Sequence, residues 1–153
     1  MISVIVVNYN VKDYLYQSLE TIYKSKIDID YEVLVINNSK SDDLNSLVEK
    51  YPNLSVHTFN TNKGFSHAVN YGISKSIGNY YLLLNPDTMI KENTLKVLYD
   101  SIYNNNEIGI VGCKVLNSDG SFQLSSRRSF PTFLTSLFHI TGLSKVFSKI
   151  KFF

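Results

Sequence analysis

A single cysteine, Cys113, leaves this 153-residue chain without the means to form an internal disulfide or a thiolate metal site. That lack fits a reducing, cytoplasmic setting. No stretch approaches the roughly 18 consecutive apolar residues of a membrane-spanning helix. The apolar opening Ile2 to Val7 is too short for a secretory signal core and has no basic residue before it. Acidic residues stop at Asp119: all thirteen lie at or before it, whereas five of the fifteen basic residues, Arg127, Arg128, Lys145, Lys149 and Lys151, follow it. The first 119 residues thus hold ten basic groups against thirteen acids, which argues against a nucleic-acid reader with a clustered basic face. Repeats and low-complexity linkers are also missing, and 44% hydrophobic with 18% charged residues describes one ordinary globular core.

What is present is a regular alternation. Strand-like runs recur near residues 2–7, 32–36, 54–59, 80–84 and 109–113, separated by segments of helical period, which predicts a βαβ series and a mostly parallel sheet. Leu15, Leu19 and Ile22 mark a first helix. Ser41 is expected to cap a second, with Asp42 and Asp43 in its first turn and Leu44, Leu47 and Val48 inward. Gly64 to Ile77 carries an apolar stripe of Phe65, Ala68, Val69, Gly72, Ile73 and Ile77, and Leu95, Leu98 and Ile102 mark a fourth helix. Asp119-Gly120 signals a hairpin turn.

Four of the apolar runs end on asparagine, at Asn8, Asn37, Asn60 and Asn85. Ligands of open α/β sheets bind beyond the carboxyl ends of the strands, so these amides outline a site. Asn85-Pro86-Asp87 is either a plain β-turn or a carboxylate set outside the sheet, where Mg²⁺ or Mn²⁺ is held by one or two carboxylates plus substrate phosphates. Asn62-Lys63-Gly64-Phe65 either turns the chain into a helix or offers a diphosphate the free N–H groups and positive end of that helix. Asn37-Asn38-Ser39 with Ser41-Asp42 is either a capping turn or a base and ribose pocket. His57 and His67 have no ligand at metal spacing, so ordinary core or surface imidazoles are expected. A third reading, a Rossmann-type dinucleotide oxidoreductase, is weak, because it needs a glycine-rich turn after the first strand and Asn8-Tyr9-Asn10-Val11-Lys12-Asp13 has no glycine; a Walker phosphate loop is absent as well.

Together these segments resemble glycosyltransferase family 2, inverting enzymes with the A-type nucleotide-diphospho-sugar transferase fold, and in particular its rhamnosyltransferase-like branch. Val4-Ile5-Val6-Val7-Asn8-Tyr9-Asn10 is similar to the first strand and nucleotide loop of the family. Val35 to Asp42 resembles its second strand and base-binding turn. Asn62 to Phe65 with Ala68, Asn70 and Gly72 resembles its phosphate-side helix, and Leu82 to Thr88 stands at its acidic metal motif. The likeness continues through Gly109 to Gly112, Leu116 to Ser121 and Arg127 to Thr132.

The resemblance implies a three-layer α/β/α, Rossmann-like fold, with residues 1–131 as the nucleotide-sugar domain and 132–153 as a basic amphipathic tail of the same domain. It implies transfer of a sugar from a UDP- or dTDP-linked donor to a glycan or lipid-linked acceptor in cell-surface polysaccharide synthesis. Tyr9, Asn10 and Asn37 would surround the base, Asn62, Lys63, Gly64 and Asn70 would face ribose and diphosphate, Asn85 would support the turn, and Asp87 would hold Mg²⁺ or Mn²⁺. Two departures stand out. The family usually has aspartate at position 37, where it accepts a hydrogen bond from the base, and no carboxylate here matches its catalytic base. The chain is therefore expected to be the donor-binding part of such an enzyme; the alternative is a nucleotide-sugar binding module without transferase activity. The tail either lies on the inner face of the membrane or packs as a helix on its own domain, and bare apolar residues predict self-association.

Overall fold

The computed structural model describes residues 1–126 together with 132, 133, 137, 140 and 141. Its elements run β1 (Ile2–Asn8), α1 (Lys12–Tyr23), β2 (Tyr31–Asn37), α2 (Asn45–Lys50), β3 (Leu54–Thr58), α3 (Phe65–Lys75), β4 (Tyr80–Leu84) and α4 (Thr94–Tyr103), followed by a short 3-10 turn at Leu124–Ser126. The four strands form one sheet in the order β3-β2-β1-β4, and every pair is parallel.

Both faces of β1 and β2 must be covered for this arrangement to hold, and their composition allows it: Val4, Ile5, Val6, Val33, Leu34, Val35 and Ile36 are all buried. Val4, Val6, Val33 and Val35 pack with Leu15, Leu19, Ile22, Leu44, Leu47 and Leu95, so α1, α2 and α4 lie on one face. Ile5, Val7, Leu34 and Ile36 pack with Ala68 and Val69 of α3 on the other. The result is three layers, α/β/α. Handedness explains the split. The chain steps from β1 to β2 to β3 in one direction, then crosses to the far side of β1 for β4, and a right-handed crossover in that reversed direction puts α3 on the opposite face. The order therefore reverses between β1 and β4, which is the place where open α/β sheets bind ligands.

Gly72 brings α3 down onto the sheet. A Cβ there would meet Ile5 Cγ2 at 2.7 Å and Ile36 Cγ1 at 3.3 Å. At the amino end of the strands the sheet is closed by a polar clamp. The buried Ser3 hydroxyl donates to Glu32 Oε1 at 2.6 Å, the Ile77 N–H donates to the same oxygen at 2.7 Å, and the Gly78 N–H donates to Ser3 Oγ at 2.9 Å.

Three local expectations are corrected. Residues 109–113 form no strand: among the described residues they have no hydrogen-bonded neighbour, two glycines break the run, and Ile110 is 92% exposed. Accordingly β4 is an edge, with Tyr81 and Leu83 about half exposed. α3 stops at Lys75 because Ser76 turns extended, which leaves Ile77 outside the helix and exposed. α2 begins at Asn45 and not at Ser41; its capping position is Leu44, with no side-chain cap.

Two compact units divide the chain, Met1–Gly112 and Cys113–Phe153. In the second, the turn expected at Asp119-Gly120 is formed: Gly120 has φ +83°, its N–H donates to Asn117 O at 2.9 Å, and Leu116 bridges Phe122 in antiparallel fashion. The Asp119 carboxylate accepts from the hydroxyl and the N–H of Ser121, and the hydroxyl above all holds its pKa below the usual range. Cys113 is exposed and unpaired. Most of the basic tail, like Arg127 and Arg128, lies outside the described residues. Among the described residues no helix is long and apolar enough to cross a membrane.

Candidate functional site

Strand register sets the site. Asn8 of β1 is level with Asn37 of β2, and Asn37 is level with Thr58 of β3, so three strands end in one row. β4 ends two residues earlier, with Leu84 opposite Val6. Asn85 and Asp87 follow in a turn closed by the Thr88 N–H donating to Asn85 O at 3.1 Å.

The row is held by amides. Asn8 is fully buried and its Nδ2 donates to both Asn37 Oδ1 and Asp42 Oδ2, each at 2.9 Å. A carboxylate only accepts, so the nitrogen of Asn8 must face Asp42. That choice orients Asn37 in turn. Its Oδ1 accepts from Asn8 and from the Ser39 N–H at 3.1 Å, while its Nδ2 donates to the Asp42 carbonyl at 2.9 Å. Asn37 is fully buried as well, and Asn8 Oδ1 is a buried oxygen without a partner among the described residues.

Asn38 joins the second loop to the third. Its Oδ1 accepts from the Lys63 N–H at 3.1 Å and its Nδ2 donates to the Gly64 carbonyl at 3.2 Å. Asn62 Oδ1 takes the Gly64 N–H at 2.8 Å. Gly64 has φ +83° with open space where a Cβ would stand, so conformation and not crowding calls for glycine. It leads into α3 with no side-chain cap, leaving the first-turn N–H groups of that helix open to an anion.

Ser39 joins the second loop to the first: its hydroxyl donates to Asn10 Oδ1 and lies 3.0 Å from the Ser41 hydroxyl. Asn10 adopts φ +58°, a conformation asparagine tolerates better than most residues. Lys12 Nζ reaches the Asp43 carbonyl at 2.7 Å. Tyr9 beside it is 51% exposed.

Of the residues expected at the site, Asn10, Asn37, Asn62, Lys63 and Gly64 are thus tied into one hydrogen-bonded set. Tyr9, Asn70, Asn85 and Asp87 are exposed and their side chains are not part of it. Asn70 sits in the second turn of α3. Among the described residues no group takes the Asp87 carboxylate, and no three His, Cys, Asp or Glu side chains gather to hold a metal. One open carboxylate beyond a strand end fits Mg²⁺ or Mn²⁺ bound mainly through a diphosphate, and does not fit a closed all-protein site. His57 and His67 lie edge-on against Tyr71 and Phe59, as ordinary packing groups. Sequence reasoning did not assign the staple made by Asn38 or the contact of Asn8 with Asp42. The doubled asparagine at positions 37 and 38 was the only visible signal.

The family model described as Glycosyl transferase family 2 matches residues 3–153. Over 124 residues the chain is 34% identical to the minor teichoic acid biosynthesis protein GgaB of Bacillus subtilis (strain 168), covering 77% of this chain and 14% of that protein. It is 27% identical over 102 residues to an Escherichia coli UDP-Gal:alpha-D-GlcNAc-diphosphoundecaprenol beta-1,3-galactosyltransferase, covering 64% of this chain and 37% of the enzyme. Among solved structures, S. aureus TarS 1-349 in complex with UDP-GlcNAc aligns with TM-score 0.57 and 29% identity over 67% of this chain and 32% of that one. A Pyrobaculum calidifontis mannosyltransferase in complex with GDP-Man and Mn²⁺ shares the fold at TM-score 0.61, with 24% identity over 66% of this chain and 32% of the other. The chain spans well under half the length of each of these relatives.

Proposed function

This chain belongs to glycosyl transferase family 2, and on that premise we propose that it binds the nucleotide-diphospho-sugar donor of an inverting glycosyltransferase. The observation that carries the reading is the hydrogen-bonded union, through Asn8, Asn38 and Ser39, of the three loops that follow β1, β2 and β3, beside the β1–β4 gap where the strand order reverses. Tyr9, Asn10 and Asn37 form the base end. Asn62, Lys63, Gly64 and the start of α3 form the phosphate end, with Asn70 further along the helix toward ribose and diphosphate. The UDP-GlcNAc complex of TarS and the GDP-Man and Mn²⁺ complex of the mannosyltransferase support a donor of this class.

Asp87, steadied by the Asn85 turn, would hold Mg²⁺ or Mn²⁺, which when bound neutralises charge developing on a leaving diphosphate. The Lys63 ammonium, exposed and without a partner among the described residues, adds positive charge at the same end. Acceptors of lipid-linked or polymeric type suit the relatives named for teichoic acid synthesis and for a diphosphoundecaprenol substrate. The rhamnosyltransferase-like placement within the family rests on the motif resemblance. The open β4 edge and exposed Ile110 and Phe133 support self-association, and the basic tail supports contact with an anionic membrane at the cytoplasmic face.

One observation favours the narrower reading, a donor-binding module without transfer. Of the acids beyond Asp87, Glu92 is paired with Lys26 at 2.6 Å, Asp100 with Lys96 at 3.2 Å, and Asp119 is bonded within its own turn. Glu107 is exposed after α4. Three of these four acids are thus already partnered, whereas a base must be free to deprotonate an acceptor, a function that contributes about 10²–10⁴-fold.

Calorimetric titration with UDP- and dTDP-sugars, with and without Mn²⁺, tests the proposal. Metal-dependent binding is expected in the wild type and is lost in Asp87→Ala with thermal stability unchanged, because the side chain is exposed. Equal Mn²⁺-dependent affinity in the mutant would remove Asp87 from the site, and no binding of any nucleotide would remove the function.

A further inference from the structure

We infer that Asp42, and not Asn37, accepts the ring N–H of a uracil or thymine base. This rests on the nucleotide-binding reading above and assigns its base specificity to a particular atom. A side chain that recognises an imide N–H must present a free acceptor toward the pocket. Asn37 does not. Both lone-pair directions of its oxygen are taken, by Asn8 Nδ2 at 2.9 Å and the Ser39 N–H at 3.1 Å, and the residue is fully buried.

Asp42 is in the complementary condition. One oxygen, Oδ2, is fixed by Asn8 at 2.9 Å, while Oδ1 has only a long 3.5 Å contact with the Ser41 hydroxyl. The residue is partly exposed. It is held from two sides, since the Asn37 amide also donates to its backbone carbonyl at 2.9 Å. The loop carrying Tyr9 and Asn10 is bonded to the same turn through Ser39 and Ser41.

The amide at position 37 then has a clear purpose. A carboxylate there would lie beside that of Asp42 and would lose the N–H that residue 37 now gives to the Asp42 carbonyl, and like charges so placed disfavour joint ionisation. With asparagine at 37, one negative charge remains, displaced five positions along the chain onto a group with an open lone pair. The bond to the base keeps its charge-assisted strength.

The test exploits the opposite polarity of the cytosine ring nitrogen, which accepts where that of uracil donates. Wild-type protein is expected to bind UDP at least about tenfold more tightly than CDP and than N3-methyl-UDP, the difference between a charge-assisted bond and none. Asp42→Asn keeps its oxygen on Asn8 and turns an N–H toward the base, so the UDP-to-CDP preference should fall by about tenfold or reverse. Asp42→Ser, which removes the carboxylate, should also lose the preference. Wild type that binds UDP and N3-methyl-UDP equally, or variants that lose UDP and CDP affinity in the same proportion, would overturn the assignment while leaving nucleotide binding intact. Wild type that binds no pyrimidine nucleotide would instead overturn the reading on which it rests.

Discussion

Replacing Gly72 by alanine sets two known effects against each other at one atom. In an isolated helix the change favours folding by about 1 kcal/mol, because glycine is a poor helix former. Here the new methyl would stand 2.7 Å from Ile5 Cγ2, 3.3 Å from Ile36 Cγ1 and 3.5 Å from Ile5 Cδ1. Carbon atoms settle at about 3.5–4.0 Å, so something must yield by roughly 1 Å. The first-contacted atom is a methyl on the Cβ of a β-branched residue, and it cannot move without leaving its rotamer. Its strand is central, paired on both sides. Overpacking of this kind costs about 1–3 kcal/mol, and the rigidity of Ile5 puts it near the upper end. Gly72→Ala is therefore expected to destabilise by about 2 kcal/mol. With a urea m-value of about 2 kcal/mol/M, the midpoint should fall by about 1 M at unchanged slope. In an Ile5→Leu background, which moves the branch away from Cβ, the penalty should largely disappear. A Gly72→Ala protein as stable as wild type, with no coupling to Ile5, would show that α3 is not held at this distance by the glycine.

Two further outcomes follow from the polar contacts. Burial, reinforced by Tyr31 and Tyr51, raises the pKa of the Tyr23 phenol, whose hydroxyl donates to Pro52 O at 2.6 Å. A raised pKa means that its stabilisation is complete below the ordinary value of 10.0 and fades as pH rises above it; thermal melts should fall steeply above pH 10, and Tyr23→Phe should blunt that fall while costing about 1 kcal/mol at neutral pH. Asn38→Ala leaves the Lys63 N–H and Gly64 carbonyl without partners, so hydrogen exchange at Lys63 should accelerate and nucleotide affinity should drop, with about 1–2 kcal/mol of stability lost; unchanged exchange would show that the third loop is held some other way.

The β-strands of the main unit and all four helices were legible because each carries its own period: Val4 to Val7 reads as a buried strand, and Leu15, Leu19 and Ile22 as one helical face. Residues 109–113 read equally well as a strand, yet strand formation needs a neighbour, and a run of sequence does not reveal whether one is present. Ser41 misled for a different reason. It has the chemistry of a cap, but its hydroxyl is engaged with Ser39 and Asn10, and Asp43 takes the Asn45 N–H at 3.0 Å instead. At the site, residue types were readable and bonding was not: Asn37 was expected beside the base, whereas its side chain is buried and bonded to Asn8, Ser39 and Asp42.

The clamp of Ser3, Glu32 and Gly78 sits at the end of the sheet remote from every loop of the site. Part of the sheet's strength is therefore set at the end of the strands opposite to recognition. Mutational drift at Ser3 or Glu32 can raise or lower durability without altering which base is chosen, and drift at residues 8–10 or 37–42 can change the choice while Val4 to Val6 keep the strands in register. A library confined to the exposed positions of the carboxyl ends would search new donors while leaving the clamp at the other end of the sheet intact.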